Sequence, residues 1–114
     1  MLASDTMLVR LSGEHDASTK TRLADAFVAV RNQANVIVDL TRCSFIDSSI
    51  VTTLLGAHDA RSRAQARLVV VLPAEPNAVT RTAELVHFAE LLPTYTSLEA
   101  VASFGQIEPA ITPA

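Results

Sequence analysis

Val36-Ile37-Val38-Asp39-Leu40, then Thr41-Arg42-Cys43-Ser44-Phe45-Ile46, then Asp47-Ser48-Ser49 form the stretch on which the fold turns. The first five residues are dense in β-branched side chains without strict alternation of apolar and polar, the profile of a strand covered on both faces. Residues 41–46 read as a connection. Asp47 and Ser48 are good helix caps, and Val51, Leu54, Leu55 and His58 follow at helical spacing, so a helix is predicted to about Ala64.

The same alternation extends outward. Met7-Leu8-Val9-Arg10-Leu11 reads as a strand ending at the turn Ser12-Gly13. Asp16 offers a cap, and Leu23, Phe27, Val30 and Ala34 share one face of a helix that begins near Ala17. Downstream, Arg67 to Leu72 is a further buried strand that stops at Pro73. Pro76 suits a helix's first turn, and Val79, Ala83 and Val86 continue that helix toward His87. A short strand within Leu91 to Tyr95 and a closing helix follow, the latter opened by a capping-box spacing in Thr96-Ser97-Leu98-Glu99. Strands alternating with helices predict one α/β domain over residues 1–105. Its sheet is expected to be mixed, mostly parallel and four- to five-stranded, with about four helices. Gly105, Pro109 and Pro113 punctuate the remainder, and residues 106–114 are expected to form a flexible tail.

Composition narrows the function. With 114 residues, 49% of them apolar and 18% charged, the chain has room for one well-packed core. A net charge of −3 and 4% aromatics disfavour nucleic acid, whose phosphates call for a basic patch and whose bases reward aromatic platforms. The lone Cys43 has no internal disulfide partner and suits a reducing compartment. No apolar run approaches the ~20 residues that cross a bilayer, and Met1 to Asp5 lack a basic stretch followed by an apolar one. A cytoplasmic protein without direct membrane insertion is therefore expected.

Ser48 stands at a predicted helix start just past a strand's carboxyl end, where free backbone N–H groups and the helix dipole favour negative charge. A phosphate is tolerated there, and its charge of about −1.5 to −2 would repel a partner docked on the same surface. On the local pattern alone, a simple capping role for Asp47 and Ser48 is the commoner explanation.

The whole chain, from about residue 7 to 104, resembles the STAS family of sulfate transporters and anti-sigma factor antagonists. Val36 to Leu40, Phe45-Ile46-Asp47-Ser48-Ser49 and Leu54-Leu55-Gly56 are similar to the family's central strand, phosphorylation loop and following helix, and Gly13-Glu14-His15-Asp16 to its Gly-Glu-x-Asp turn. Arg67 to Leu72, Val79-Thr80-Arg81 and Thr96 to Ala100 resemble its later segments. For antagonist members the resemblance implies a non-enzymatic domain that binds a histidine-kinase-like serine kinase, the anti-sigma factor, when unphosphorylated. Phosphorylation by that partner, on the residue corresponding to Ser48, reverses the binding, and a serine phosphatase is the expected counterpart. The implied partner surface comprises Asp16, Asp47, Ser48, Ser49, Ile50, Thr52 and Thr53.

Three departures stand out. Antagonists usually carry glycine two residues after the modified serine, and Ile50 stands there; it could obstruct a kinase, turn inward, or anchor a different partner. Only a few residues precede Gly13 for a first strand, so Met1 to Ala3 are expected to pair briefly and to leave an edge for weak pairing with a second copy. His87 occupies the place of a helix-ending glycine. The rival readings have less support. No Gly-x-Ser-x-Gly elbow accompanies Ser48 as in a hydrolase, the acidic pair and late lysine of a phosphorelay receiver are missing, and His15, His58, His87 and Cys43 lack paired metal-ligand spacing. No cofactor is expected. The closer alternative is a STAS scaffold or subunit of a stress-signalling or lipid-transport complex that works without serine phosphorylation.

Overall fold

The computed structural model describes residues 6–101 and 107–111. Strands and helices alternate: β1 (Thr6–His15), α1 (Lys20–Ala29), β2 (Asn35–Ile46), α2 (Ser48–Arg63), β3 (Arg67–Val71), α3 (Ala78–Leu85), α4 (Phe88–Leu91), β4 (Thr94–Tyr95), α5 (Leu98–Val101) and β5 (Ile107–Ile111). The strands form one sheet in the order β4-β3-β2-β1-β5. Every pairing among the described residues is parallel, at the parallel end of the expected range. Met1 to Ala3, expected to pair briefly, lie outside the described residues.

The strand order explains where the core sits. From β1 to β4 each crossover steps in the same direction, and right-handed connections then place α1 to α4 on one face. The step from β4 back to β5 runs the other way, so α5 falls on the opposite face. Accordingly Val9, Leu11, Val38, Leu40, Leu68 and Val70 pack with Leu23, Leu54, Val79 and Phe88 in the main core. Leu8, Ile37, Val69 and Val71 form a smaller cluster with Tyr95 and Leu98. Alternate residues of one strand thus serve different cores. Asp39 is fully buried on the side of Ile37. Burial opposes its ionisation, but the Thr41 hydroxyl (2.6 Å) and amide (2.9 Å) and the Arg10 guanidinium (2.9 Å) outweigh that and hold its carboxyl below the ordinary range.

Several element boundaries differ from the sequence reading. β2 continues through residues 41–46, because β1 also runs on to His15 and the two pair past register shifts as far as His15 with Ile46. Helix α1 begins at Lys20, since Asp16 to Thr19 close a separate turn in which the Thr19 amide donates to the Asp16 carbonyl at 3.0 Å. In the stretch expected as a tail, Ile107–Ile111 is a strand. Pro109 fits because β5 is an edge strand, paired irregularly with β1, where a missing donor is tolerated. Ser97, not Thr96, accepts from the Glu99 amide at the start of α5, at 3.1 Å. His87 adopts the left-handed conformation at φ 53°, after the end of α3, as its glycine-like position implied. Among the described residues no helix is long and apolar enough to cross a membrane.

Candidate functional site

At the carboxyl end of β2 the chain turns directly into α2. Asp47 is extended and caps the helix, its Oδ1 accepting from the Ile50 amide at 3.2 Å. Its Oδ2 accepts from the Ala17 amide at 3.2 Å. One carboxylate thereby fixes the start of α2 and ties it to the β1–α1 loop, a link between residues 30 apart in sequence. The same side chain that reads as a cap from sequence is also the bolt between two loops.

That bolt brings Asp16 beside the helix start. Asp16 is exposed, and its Oδ1 accepts from the Ser18 hydroxyl at 2.6 Å and the Ser18 amide at 2.9 Å, which hold its carboxyl below the ordinary value. Thr19 closes the turn, its hydroxyl donating to the Asp16 carbonyl and accepting from the Asp16 amide, each at 3.1 Å. Beneath it lies His15, 1% exposed, with Nδ1 3.2 Å from the Thr19 hydroxyl and Nε2 3.1 Å from the Ser12 carbonyl. No local pattern marks His15 as the support of this loop, because its partners are set by how the turn folds.

Ser48 is the first residue of α2 and is exposed. Thr52 lies one turn on and is also exposed; Ser49 and Thr53 are half-buried, and the Thr53 hydroxyl donates to the Ser49 carbonyl at 2.8 Å. Ile50 is the exception in the expected partner surface. It is fully buried in the main core with Val51 and Leu54, so its side chain is unavailable as a contact and does not stand in front of Ser48. The helical period decides this: position 50 falls on the stripe that continues to Leu54. Phe45, 40% exposed, adds apolar surface at the end of β2.

Asn77 was not singled out from sequence, yet it braces the site from the far side. It caps α3, its Oδ1 accepting from the Val79 amide at 2.9 Å and the Thr80 amide at 3.1 Å, while its Nδ2 donates to the Cys43 carbonyl at 3.1 Å. The cap is legible in the sequence as asparagine after Pro76; the reach to β2 is not. Burial raises the pKa of the Cys43 thiol, which donates to the Phe45 carbonyl at 3.3 Å and is protonated at neutral pH. Among the described residues no group of three or more His, Cys, Asp or Glu side chains is placed to hold a metal ion.

Comparison with known proteins places the fold. A family model described as "Mlab, STAS domain" matches residues 2–93. No curated protein matches the chain. An anti-sigma factor antagonist from Mycobacterium paratuberculosis superposes with a TM-score of 0.77 at 23% identity, covering 90% of this chain and 88% of that one. The phosphorylated form of the Bacillus cell fate determinant SpoIIAA gives 0.68 at 21% identity, over 92% and 96%. The STAS domain of a SulP transporter from Vibrio cholerae gives 0.67 at 15%, over 91% and 83%. At these identities the solved structures establish a shared fold.

Proposed function

The chain belongs to the STAS domain family, and from that premise we propose that it is an anti-sigma factor antagonist: a cytoplasmic, non-enzymatic ligand of a kinase-type anti-sigma factor, released when Ser48 is phosphorylated. The observation that carries this reading is the exposure of Ser48 at the first turn of a 16-residue helix, on a loop bolted by Asp47, with Ile50 turned into the core. The hydroxyl is presented to a kinase, and the helix start favours the phosphate once made. Asp16 and Asp47 already give the surface negative charge, so a phosphate of about −1.5 to −2 would intensify repulsion of any partner group of like sign and would have to be desolvated in the complex. The catalytic groups and the nucleotide belong to the partner, which restores binding only after a serine phosphatase acts. The fold likeness to antagonists, one of them known in a phosphorylated form, supports the reading.

The test uses the purified chain with its cognate anti-sigma kinase and ATP. Stoichiometric labelling is expected, lost in Ser48→Ala, and Ser48→Asp should weaken the complex. Labelling that persists in Ser48→Ala sinks the site.

A second reading has its own support. The matching family model carries the description Mlab, and isoleucine replaces the glycine usual in antagonists, which suits a STAS subunit held permanently in a larger assembly. Recovery of transport subunits in a pull-down, with complex affinity indifferent to Ser48→Asp, would favour it.

A further inference from the structure

In open parallel sheets ligands settle outside the carboxyl ends of the strands, where neighbouring connections diverge to opposite faces. Here that divergence falls between β3 and β4. The chain leaving β3 crosses to α3 on the main-core face, while the chain leaving β4 crosses to α5 on the other. A cavity of 430 Å³ opens at this point, its accessible apolar lining given by Leu72, Ala74, Pro76 and Ala89 over the buried Pro73, Ala83 and Phe88, and it reaches Thr96 beyond β4. Its volume lies in the range of small-molecule sites, about 300–1,000 Å³. A second hollow of 490 Å³ shares Pro73, Ala74, Pro76 and Thr96 with it and extends to Thr41 and Asn77. The crevice is thus distinct from the surface around Ser48, though Asn77 belongs to its wall and also holds the Cys43 carbonyl.

The charges on its rim select the occupant. Glu84 and Glu90 line the cavity and Glu75 the adjoining hollow. No lysine or arginine lines either hollow, and the His87 Nδ1 lies 3.0 Å from a Glu90 oxygen. The Glu84 carboxylate has no ion-pair partner among the described residues. An apolar floor beneath an acidic rim fits an apolar body carrying a positive charge and disfavours phosphorylated or carboxylate ligands.

We propose that the crevice between β3 and β4 is a second binding site, for a small amphipathic amine whose apolar part lies against Leu72, Pro76 and Ala89 and whose ammonium faces Glu84. The site is independent of whether Ser48 is phosphorylated.

The test is an amide-resolved NMR titration of the full chain with 2-phenylethylammonium, and with 3-phenylpropanoate as an anion of similar shape. The ammonium should give saturable shifts centred on Thr80, Ala83, Glu84, Ala89 and Thr96, and the carboxylate should bind two- to fivefold more weakly, the size that an exposed ion pair gives. Glu84→Gln, an exposed substitution, should remove that preference with the apolar contacts retained. Ala89→Trp, which narrows the mouth from an exposed position, should weaken the ammonium at least tenfold while the rest of the spectrum keeps its dispersion. Absence of saturable shifts at these amides, shifts centred on another surface, or a carboxylate that binds as tightly as the ammonium would overturn the proposal.

Discussion

Helix α2 ends in two opposite ways. At its amino end a carboxylate, Asp47, caps the backbone and leaves the next side chain, Ser48, in water. At its carboxyl end a cation, Arg61, turns inward and is 8% exposed. Its Nε donates to the Arg67 carbonyl at 2.8 Å and an Nη to the Gln33 carbonyl, fastening the helix to the start of β3 and to the connection between α1 and β2. Burial lowers the pKa of its guanidinium without discharging it. Both ends carry the sign that the helix dipole favours. The difference lies in what is satisfied: the carboxyl end uses its charged side chain on the protein itself, whereas the amino end satisfies its backbone with Asp47 and presents a hydroxyl outward. A helix can therefore be structural at one end and functional at the other. The contrast is testable because it predicts where substitutions are costly.

The largest effect is expected beneath the functional end. Ile50→Gly, which installs the glycine usual in antagonists, empties a fully buried site and adds a flexible residue to the first turn of α2. A loss of about 4 kcal/mol is expected by urea unfolding, a large share of the roughly 5–15 kcal/mol that holds a domain together. A loss under about 1 kcal/mol would mean that Ile50 is not a core residue and would revive it as a partner contact.

Next comes the structural end. Arg61→Met keeps the apolar stem but withdraws the donors from the Gln33 and Arg67 carbonyls. Charged hydrogen bonds of this kind support a cost of about 2–3 kcal/mol, with no effect expected on the affinity of a partner bound at Ser48. A change in affinity as large as the change in stability would erase the distinction between the two ends.

These two residues also show what a sequence discloses. The alternation of strands and helices was legible, as was Asp47 as a cap, because each follows from neighbours a few residues away; the left-handed backbone at His87 was implied by the family resemblance. The extension of β2 through residues 41–46 was not, since it depends on pairing with Ser12 to His15 across the sheet. β5 was masked by Pro109, which argues against a strand unless the strand is known to lie at an edge. Around the proposed site, Asp47 and Ser48 were legible as a helix start and given a switch role by the family resemblance, while the bond from Asp47 to Ala17, the buried His15 and the reach of Asn77 to Cys43 link segments far apart in the chain or buried in it. The inward turn of Ile50 was open on sequence because the helix phase was uncertain until its first residue was placed.

Asp47→Ala should cost less than either core change, about 1–2 kcal/mol for a lost cap. It also releases Ala17, so its signature is local: faster amide hydrogen exchange across residues 16–19 as well as at the first turn of α2. Exchange altered only within α2 would show that the link between the loops contributes nothing in solution.

Ser48→Ala completes the series with the smallest effect on folding and the greatest on function. The side chain is exposed, Asp47 already satisfies the Ile50 amide, and alanine is a good helix former, so stability should stay within about 0.5 kcal/mol of the parent. Phosphorylation by the anti-sigma kinase should nonetheless vanish, and the unphosphorylatable protein should hold its partner in the presence of ATP when the parent lets go. The pairing of an unchanged unfolding curve with a lost switch is what separates a presented hydroxyl from a structural one. A destabilisation above about 1 kcal/mol would place Ser48 with Arg61, as a residue that the helix needs for itself.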